Sequence, residues 1–188
     1  MNEILNTISQ RYSCRNFVSG KLVSDEHLEL ILDAALISPS GVNRQPWRLI
    51  AIRDQALIDD LESATFDYIK NLEDKTMYDR IMSRGGKPVY NTPCVIWIAI
   101  DEKASKYATM DCGIVCQSIS LAATSLGLGS CICAMLGFTM KTPKADELAK
   151  RIGIPEGFTF GCSVLIGHPA APGSQKREID QTKISYVG

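Results

Sequence analysis

Apolar positions along the chain recur with two periods, and the switches between them set out the elements. Ile4, Leu5 and Ile8 share one helical face and predict a short helix ending near Gln10. Arg11 to Phe17 reads as extended. Ser24 can cap a second helix, with Asp25 and Glu26 well placed in its first turn and Leu28, Ile31, Leu32, Ala35 and Leu36 as its apolar stripe. That helix must stop before Pro39, because the residue preceding a proline is pushed out of the helical region. Trp47 to Ile52 predicts a strand, and Gln55 to about Leu72 a helix. Lys75 to Asn91 is polar, carries Gly85-Gly86 and Pro88, and predicts a mobile, partly helical excursion. Cys94 to Ile100 is a continuous apolar run rich in β-branched residues, which predicts a central strand. Met110 to Leu126 has no clear polar face and predicts a buried helix, ended by Gly127-Leu128-Gly129. Ser130 to Leu136 is a strand candidate, Thr142-Pro143 opens a short helix to Arg151, Phe158 to Ile166 is the last strong strand, and residues 169–188 are a polar tail.

Composition adds little to this pattern. With 188 residues, 45% of them apolar and 22% charged, the chain can bury a sizeable core as one domain over residues 1–188. Disorder and fibrous repeats are excluded. Twenty Lys and Arg face 21 Asp and Glu, so no global charge favours nucleic acid or an anionic membrane. The 29 positions from Cys112 to Met140 hold no charge, but their Ser, Thr, Gln and Gly content makes a poor membrane span. Seven Cys is an odd, raised count, and the start MNEILNTISQ has no basic region followed by an apolar stretch. Reduced thiols and a cytoplasmic protein are expected.

The standard motifs fail in informative ways. Gly127-Leu128-Gly129-Ser130-Cys131-Ile132 lacks the third glycine of a dinucleotide fingerprint and follows a helix instead of a strand. Gly86-Lys87 runs into Pro88, so there is no Walker A loop, and neither GxSxG nor HExxH occurs. Only His27 and His168 are available for a His-based site. Cys112 with Cys116, and Cys131 with Cys133, could pair on one helix face and one sheet face. Their spacings and apolar surroundings favour core packing over a metal site, so no metal is expected.

Two segments are richer. If Arg11 to Arg15 is extended, Arg11, Ser13 and Arg15 point the same way, and two guanidinium forks with a hydroxyl suit a phosphate. The segment could equally be a solvated basic edge. Lys176-Arg177 in the tail could close the same site or be solvated. Pro39-Ser40-Gly41-Val42-Asn43-Arg44-Gln45-Pro46-Trp47 is dense in amide and hydroxyl groups. Asn43 and Gln45 could pair with a planar heterocycle, or the loop could be a rigid turn bonded to its own backbone. The run Gln45-Pro46-Trp47 exceeds what a turn needs and favours a binding loop.

Together these segments resemble the nitroreductase family of FMN-dependent oxidoreductases. The resemblance rests on Arg11-x-Ser13-x-Arg15-x-Phe17, on the loop from Pro39 to Trp47, on Asp111-x-Gly113 with Gln117 and Leu126-Gly127-Leu128-Gly129, and on Ile166-Gly167-His168-Pro169 followed by Lys176-Arg177. It implies an α+β fold, a mixed and largely antiparallel sheet flanked by helices, and an intertwined homodimer with FMN at the interface. By position it implies that Arg11, Ser13 and Arg15 contact the phosphate and ribityl chain, assisted by Lys176 or Arg177. Pro39, Ser40 and Asn43 would reach the flavin from the partner chain, and backbone near Cys133, Ala134 and Met135 would meet the isoalloxazine ring. The excursion over residues 75–91 usually shapes the substrate channel in such proteins.

The implied activity is electron transfer from NADH or NADPH, by a ping-pong mechanism, to a small electrophilic acceptor such as a nitroaromatic, quinone or activated alkene. No side chain need act as acid or base, so no catalytic residue is named. The rival readings are a flavin-binding or flavin-sensing protein without turnover, and a Cys-based metal or redox protein.

Overall fold

The structure, a computed structural model, describes residues 2–104, 106–173 and 179–188. Its helices begin where the side chains can cap them. Asn2 Oδ1 accepts from the Leu5 N–H to start α1 (Glu3–Gln10), and Ser24 Oγ accepts from the His27 N–H to start α2 (Asp25–Leu36). The Asp54 carboxylate accepts from Ala56 and Leu57 to start α3 (Gln55–Lys70). The helical part of the polar excursion is α4 (Thr76–Met82). The uncharged stretch contributes α5 (Ala108–Ser125), and α6 (Ala145–Ile152) closes on Gly153 in the left-handed conformation.

Four strands, β1 (Trp47–Ile52), β2 (Cys94–Asp101), β3 (Gly129–Ile132) and β4 (Phe158–Gly167), form one sheet in the order β1-β2-β4-β3. Among the described residues all three pairings are antiparallel, and an isolated parallel bridge joins Ser13 and Ser130. Side chains alternate along β2 and divide the core into two layers. Val95, Trp97 and Ala99 face α3, α6 and the segment after β3, whereas Cys94, Ile96 and Ile98 face α2 and α5. The fold is therefore α+β, with helices on both faces of the sheet.

Two expectations change. The strand after Gly129 ends at Ile132 instead of Leu136, and Ala134–Lys141 forms 3₁₀ turns. The cause lies on β4: the Ser163 hydroxyl donates to the Cys133 carbonyl (2.6 Å) and takes the acceptor that would continue the ladder. Beyond it, β4 shifts register between the partners of Ile98 and Ala99, leaving Gly161 unpaired as a bulge. The second change concerns α5. One side of it is buried, through Cys112, Val115, Cys116 and Ile119, but Met110 is 65% exposed and Gly113 and Gln117 are open. In a single chain this helix keeps an uncovered and mostly uncharged face.

Candidate functional site

Arg11 caps α1 in extended conformation, and the following residues are sewn into the sheet. The Cys14 N–H donates to Ser130 O (2.8 Å), Phe17 N–H to Tyr90 O (3.1 Å) and Val18 N–H to His168 O (2.9 Å). Cys14 and Phe17 are buried, three residues apart, so strict alternation breaks between them. Two motif glycines allow this close approach. A Cβ on Gly129 would sit 2.8 Å from Cys14 Cβ and Sγ, and one on Gly167 would sit 2.9 Å from the Phe17 ring. The glycines of the Leu-Gly-Leu-Gly and Ile-Gly runs thus clear the path for the cationic segment.

Burial pushes the Cys131 thiol up, Arg15 pulls against it, the Cys14 thiol adds to it, and Arg84 and Arg11 pull against it further. Among the described residues neither Arg15 nor Arg84 has a carboxylate partner. Tyr12, beside Arg11, has its phenol pushed up to about 12 by burial and by Cys14. The chain returning from β4 passes over its ring, where a Cβ on Gly173 would approach to 2.2 Å. Lys176 and Arg177 lie outside the described residues.

The loop from Pro39 to Trp47 is held differently. Val42, Asn43 and Gln45 all take positive φ (47°, 55° and 47°), a conformation that is uncommon outside glycine and strained for a β-branched residue. Side-chain bonds hold it: Ser40 Oγ accepts from the Gln45 N–H (2.9 Å), the Gln45 amide donates to Asn43 Oδ1 (3.0 Å), and Asp111 accepts from the Gly41 N–H (3.0 Å). Asp111 is buried in the first turn of α5, so the Asp-x-Gly start of that helix fixes the loop. Asn43 keeps its amide donors, Pro39 is exposed and Val42 is 91% exposed.

After β3, both backbone groups of Cys133 are bonded within the chain, to Ser163 O and Ser163 Oγ. Its thiol is pushed up to about 12 by burial first and Cys131 second. Ala134 is exposed and opens the 3₁₀ turns, where an N–H has no acceptor inside the helix; Met135 is half-buried. Beside them lies a cleft of about 350 Å³ lined by Ile132, Thr109, Gly113, Cys116, Phe160 and Cys162. Cys116 hydrogen-bonds Cys112 and Cys162, and these contacts, then burial, push its thiol up. Among the described residues no three His, Cys, Asp or Glu side chains are grouped to hold a metal, and no helix is long and apolar enough to cross a membrane.

The loop and the cationic segment attach at different levels of α5, Gly41 at its first turn and Ser38-Pro39 near its middle, beside Ser118 and α1. The loop bonds Asp111 in the first turn of α5, whereas the cationic segment packs on Gly129 and Ser130 beyond its last turn. From Asp111 to Ser125 the helix rises about 20 Å. The 350 Å³ cleft and the loop also flank different sides of α5, the first touching Thr109, Gly113 and Cys116, the second Asp111 and, through Ser38, Ser118.

The sequence profile of the nitroreductase family matches residues 8–168. A nitroreductase with bound FMN from Desulfitobacterium hafniense DCB-2 is 44% identical and superposes with a TM-score of 0.96, covering 100% of each chain. A second, from Bacteroides fragilis NCTC 9343, also with bound FMN, is 27% identical with a TM-score of 0.89 and the same coverage. A protein of Archaeoglobus fulgidus, provisionally named an NADH dehydrogenase/NAD(P)H nitroreductase, is 32% identical over 174 residues, 90% of this chain and 87% of its own length. With the profile spanning most of the sequence, the chain belongs to the nitroreductase family.

Proposed function

We propose that residues 1–188 form one FMN-binding unit that acts as a homodimeric NAD(P)H oxidoreductase. The different levels at which Arg11–Arg15 and Gly41–Asn43 attach to α5 support the reading that a flavin touched by both lies between two chains. The open face of α5, with Met110 and Gly113, supplies apolar surface for that contact. The residues fit the cofactor, because the Arg15 guanidinium, with no carboxylate partner among the described residues, suits a phosphate dianion and the Ala134 N–H at the start of the 3₁₀ turns suits the ring.

Arg11, Ser13 and Arg15 hold the phosphate and ribityl chain. The Ala134 N–H, with backbone at Cys133 and Met135 shaping the surface, orients the ring. Pro39, Ser40 and Asn43 of the other copy cover the flavin, and Lys176 or Arg177 assists at the phosphate. When bound, FMN supplies two-electron chemistry, taking hydride from NADH or NADPH and delivering electrons to a nitroaromatic, quinone or related electrophile in a ping-pong cycle. The protein orients the cofactor and excludes competing acceptors. All seven cysteines are free thiols, which supports a reducing, cytoplasmic setting.

Steady-state oxidation of NADH and NADPH by the purified yellow protein, with a quinone or nitroaromatic varied, tests the reading. Turnover with parallel double-reciprocal lines is expected. Bound flavin without turnover would replace the enzyme by a flavin-binding protein, and a chain that holds no flavin would overturn both.

A further inference from the structure

Cys112, Cys116 and Cys162, three of the seven free thiols, meet where α5 crosses β4. Cys112 and Cys116 lie four residues apart, so one side of α5 carries both, and that side packs on the sheet. Cys162 lies opposite Ile98 of β2 in the ladder, and its side chain joins the buried layer that holds Ile98, Cys112 and Cys116. All three thiols line the cleft of about 350 Å³. Their exposure is graded: Cys112 and Cys116 are 5% and 2% exposed, whereas Cys162 is half-buried at the cleft wall. Contact with Cys116 holds the Cys162 thiol below its ordinary range, against the burial that raises it. Gly161, unpaired at the bulge in β4, gives the strand slack beside Cys162. The other thiols are placed differently. Cys14 donates to Asn16 O (3.3 Å) and Cys131 to Ile132 O (3.7 Å), Cys94 and Cys133 are buried, and none of the four lines this cleft. No step of the electron transfer proposed above uses the trio.

We infer that Cys162 and Cys116 form an oxidisable dithiol, a modification site for hydroperoxides in the cleft between α5 and β4, closed by a disulfide. Hydrogen peroxide is little larger than water, and the cleft admits it. The Cys162 sulfur attacks one peroxide oxygen and the O–O bond breaks. Cys162 becomes a sulfenic acid, and the second oxygen leaves as water with the thiol proton. The Cys116 sulfur then attacks the sulfenic sulfur, the S–O bond breaks, and the hydroxyl leaves as water with the Cys116 proton. Two thiols lose two electrons in all, and one peroxide becomes two waters. Cys162, the more open and more acidic thiol, takes the first step, and Cys116 behind it takes the second. The product fastens α5 to β4 within two turns of Asp111, the residue that fixes the loop from Pro39 to Trp47.

The test exposes the reduced full-length protein to hydrogen peroxide, then counts thiols and maps the unreduced tryptic digest. Wild type is expected to lose two of its seven thiols and to link the peptide of residues 107–141 to that of residues 152–176. Dithiothreitol should restore all seven. The first peptide also carries Cys131 and Cys133, so the link must persist in C131S and C133S and vanish in C116S and C162S. Fragment spectra of the wild-type link assign Cys116 directly, without any variant. No link in wild type, or a sulfinic acid at Cys162 without one, would overturn the pairing, as would a link that survives C116S. These measurements need no flavin and no acceptor, so their failure leaves the oxidoreductase reading standing, and the reverse holds.

Discussion

The two halves of the candidate site are built in opposite ways. The cationic segment is irregular chain made rigid from outside: backbone bonds to Ser130, Tyr90 and His168 hold it, and Gly129 and Gly167 clear its path. The loop after α2 is made rigid from within, by Ser40, Asn43 and Gln45 bonding one another, with a single buried acid, Asp111, fixing its start. The first is complete in one chain. The second keeps three non-glycine residues at positive φ and presents Val42 and Pro39 to solvent. Strain and exposure combined suit the role proposed for this loop at a partner chain.

The largest effect should come from breaking the first half. A Gly129→Val substitution drives side-chain atoms into Cys14, whose Cβ and Sγ already lie 2.8 Å from an ideal Cβ, and β3 and the cationic segment cannot both keep their places. A destabilisation of about 3 kcal/mol is expected from overpacking, read from the midpoint of urea unfolding. The matching change at Gly41, where a Cβ would meet only Tyr107 Cβ at 3.9 Å, should cost far less. Equal costs at the two glycines would refute the contrast between a half held from outside and a half held from within.

A complementation experiment sharpens the contrast directly. One chain carries R11A and R15A, the other S40A and N43A, and each homodimer should retain little FMN. In the mixed dimer, one site combines both defects, while the other takes intact arginines from one chain and an intact loop from its partner. Random mixing makes half the dimers mixed and restores one site of two in each, so flavin content should recover to about a quarter of wild type. No recovery would place both halves of each site in one chain.

Much of this was legible in the sequence, for reasons that can be named. Caps and breakers act locally, so Ser24 and Pro39 placed α2, and the β-branched run from Cys94 placed β2, closely. What stayed hidden depends on distant partners. The early end of β3 is set by the Ser163 hydroxyl, 30 residues further on. The grip of Asp111 on Gly41 spans 70 residues, so the sequence shows a motif and not its purpose. The open face of α5 was hidden for another reason: an apolar helix face looks the same in a sequence whether its own chain or a second copy covers it.

The smallest effect tests whether the strain in the loop has a purpose. Val42 sits at φ 47°, ψ 30°, and in that conformation a residue with a side chain is disfavoured by about 1–2 kcal/mol relative to the right-handed region. Glycine would relieve this but adds freedom to the unfolded chain worth roughly 0.5–1 kcal/mol. The net expectation for Val42→Gly is a stabilisation of up to about 1 kcal/mol, visible as a small rise in the melting temperature of the flavin-free protein. Flavin retention should move the other way, because a loop released from its strained shape no longer presents Asn43 and Pro39 to a partner chain in one arrangement. A variant that gains stability and keeps its flavin would show the strain to be incidental, and would leave the bonds from Asp111, Ser40 and Gln45 sufficient to shape the loop alone.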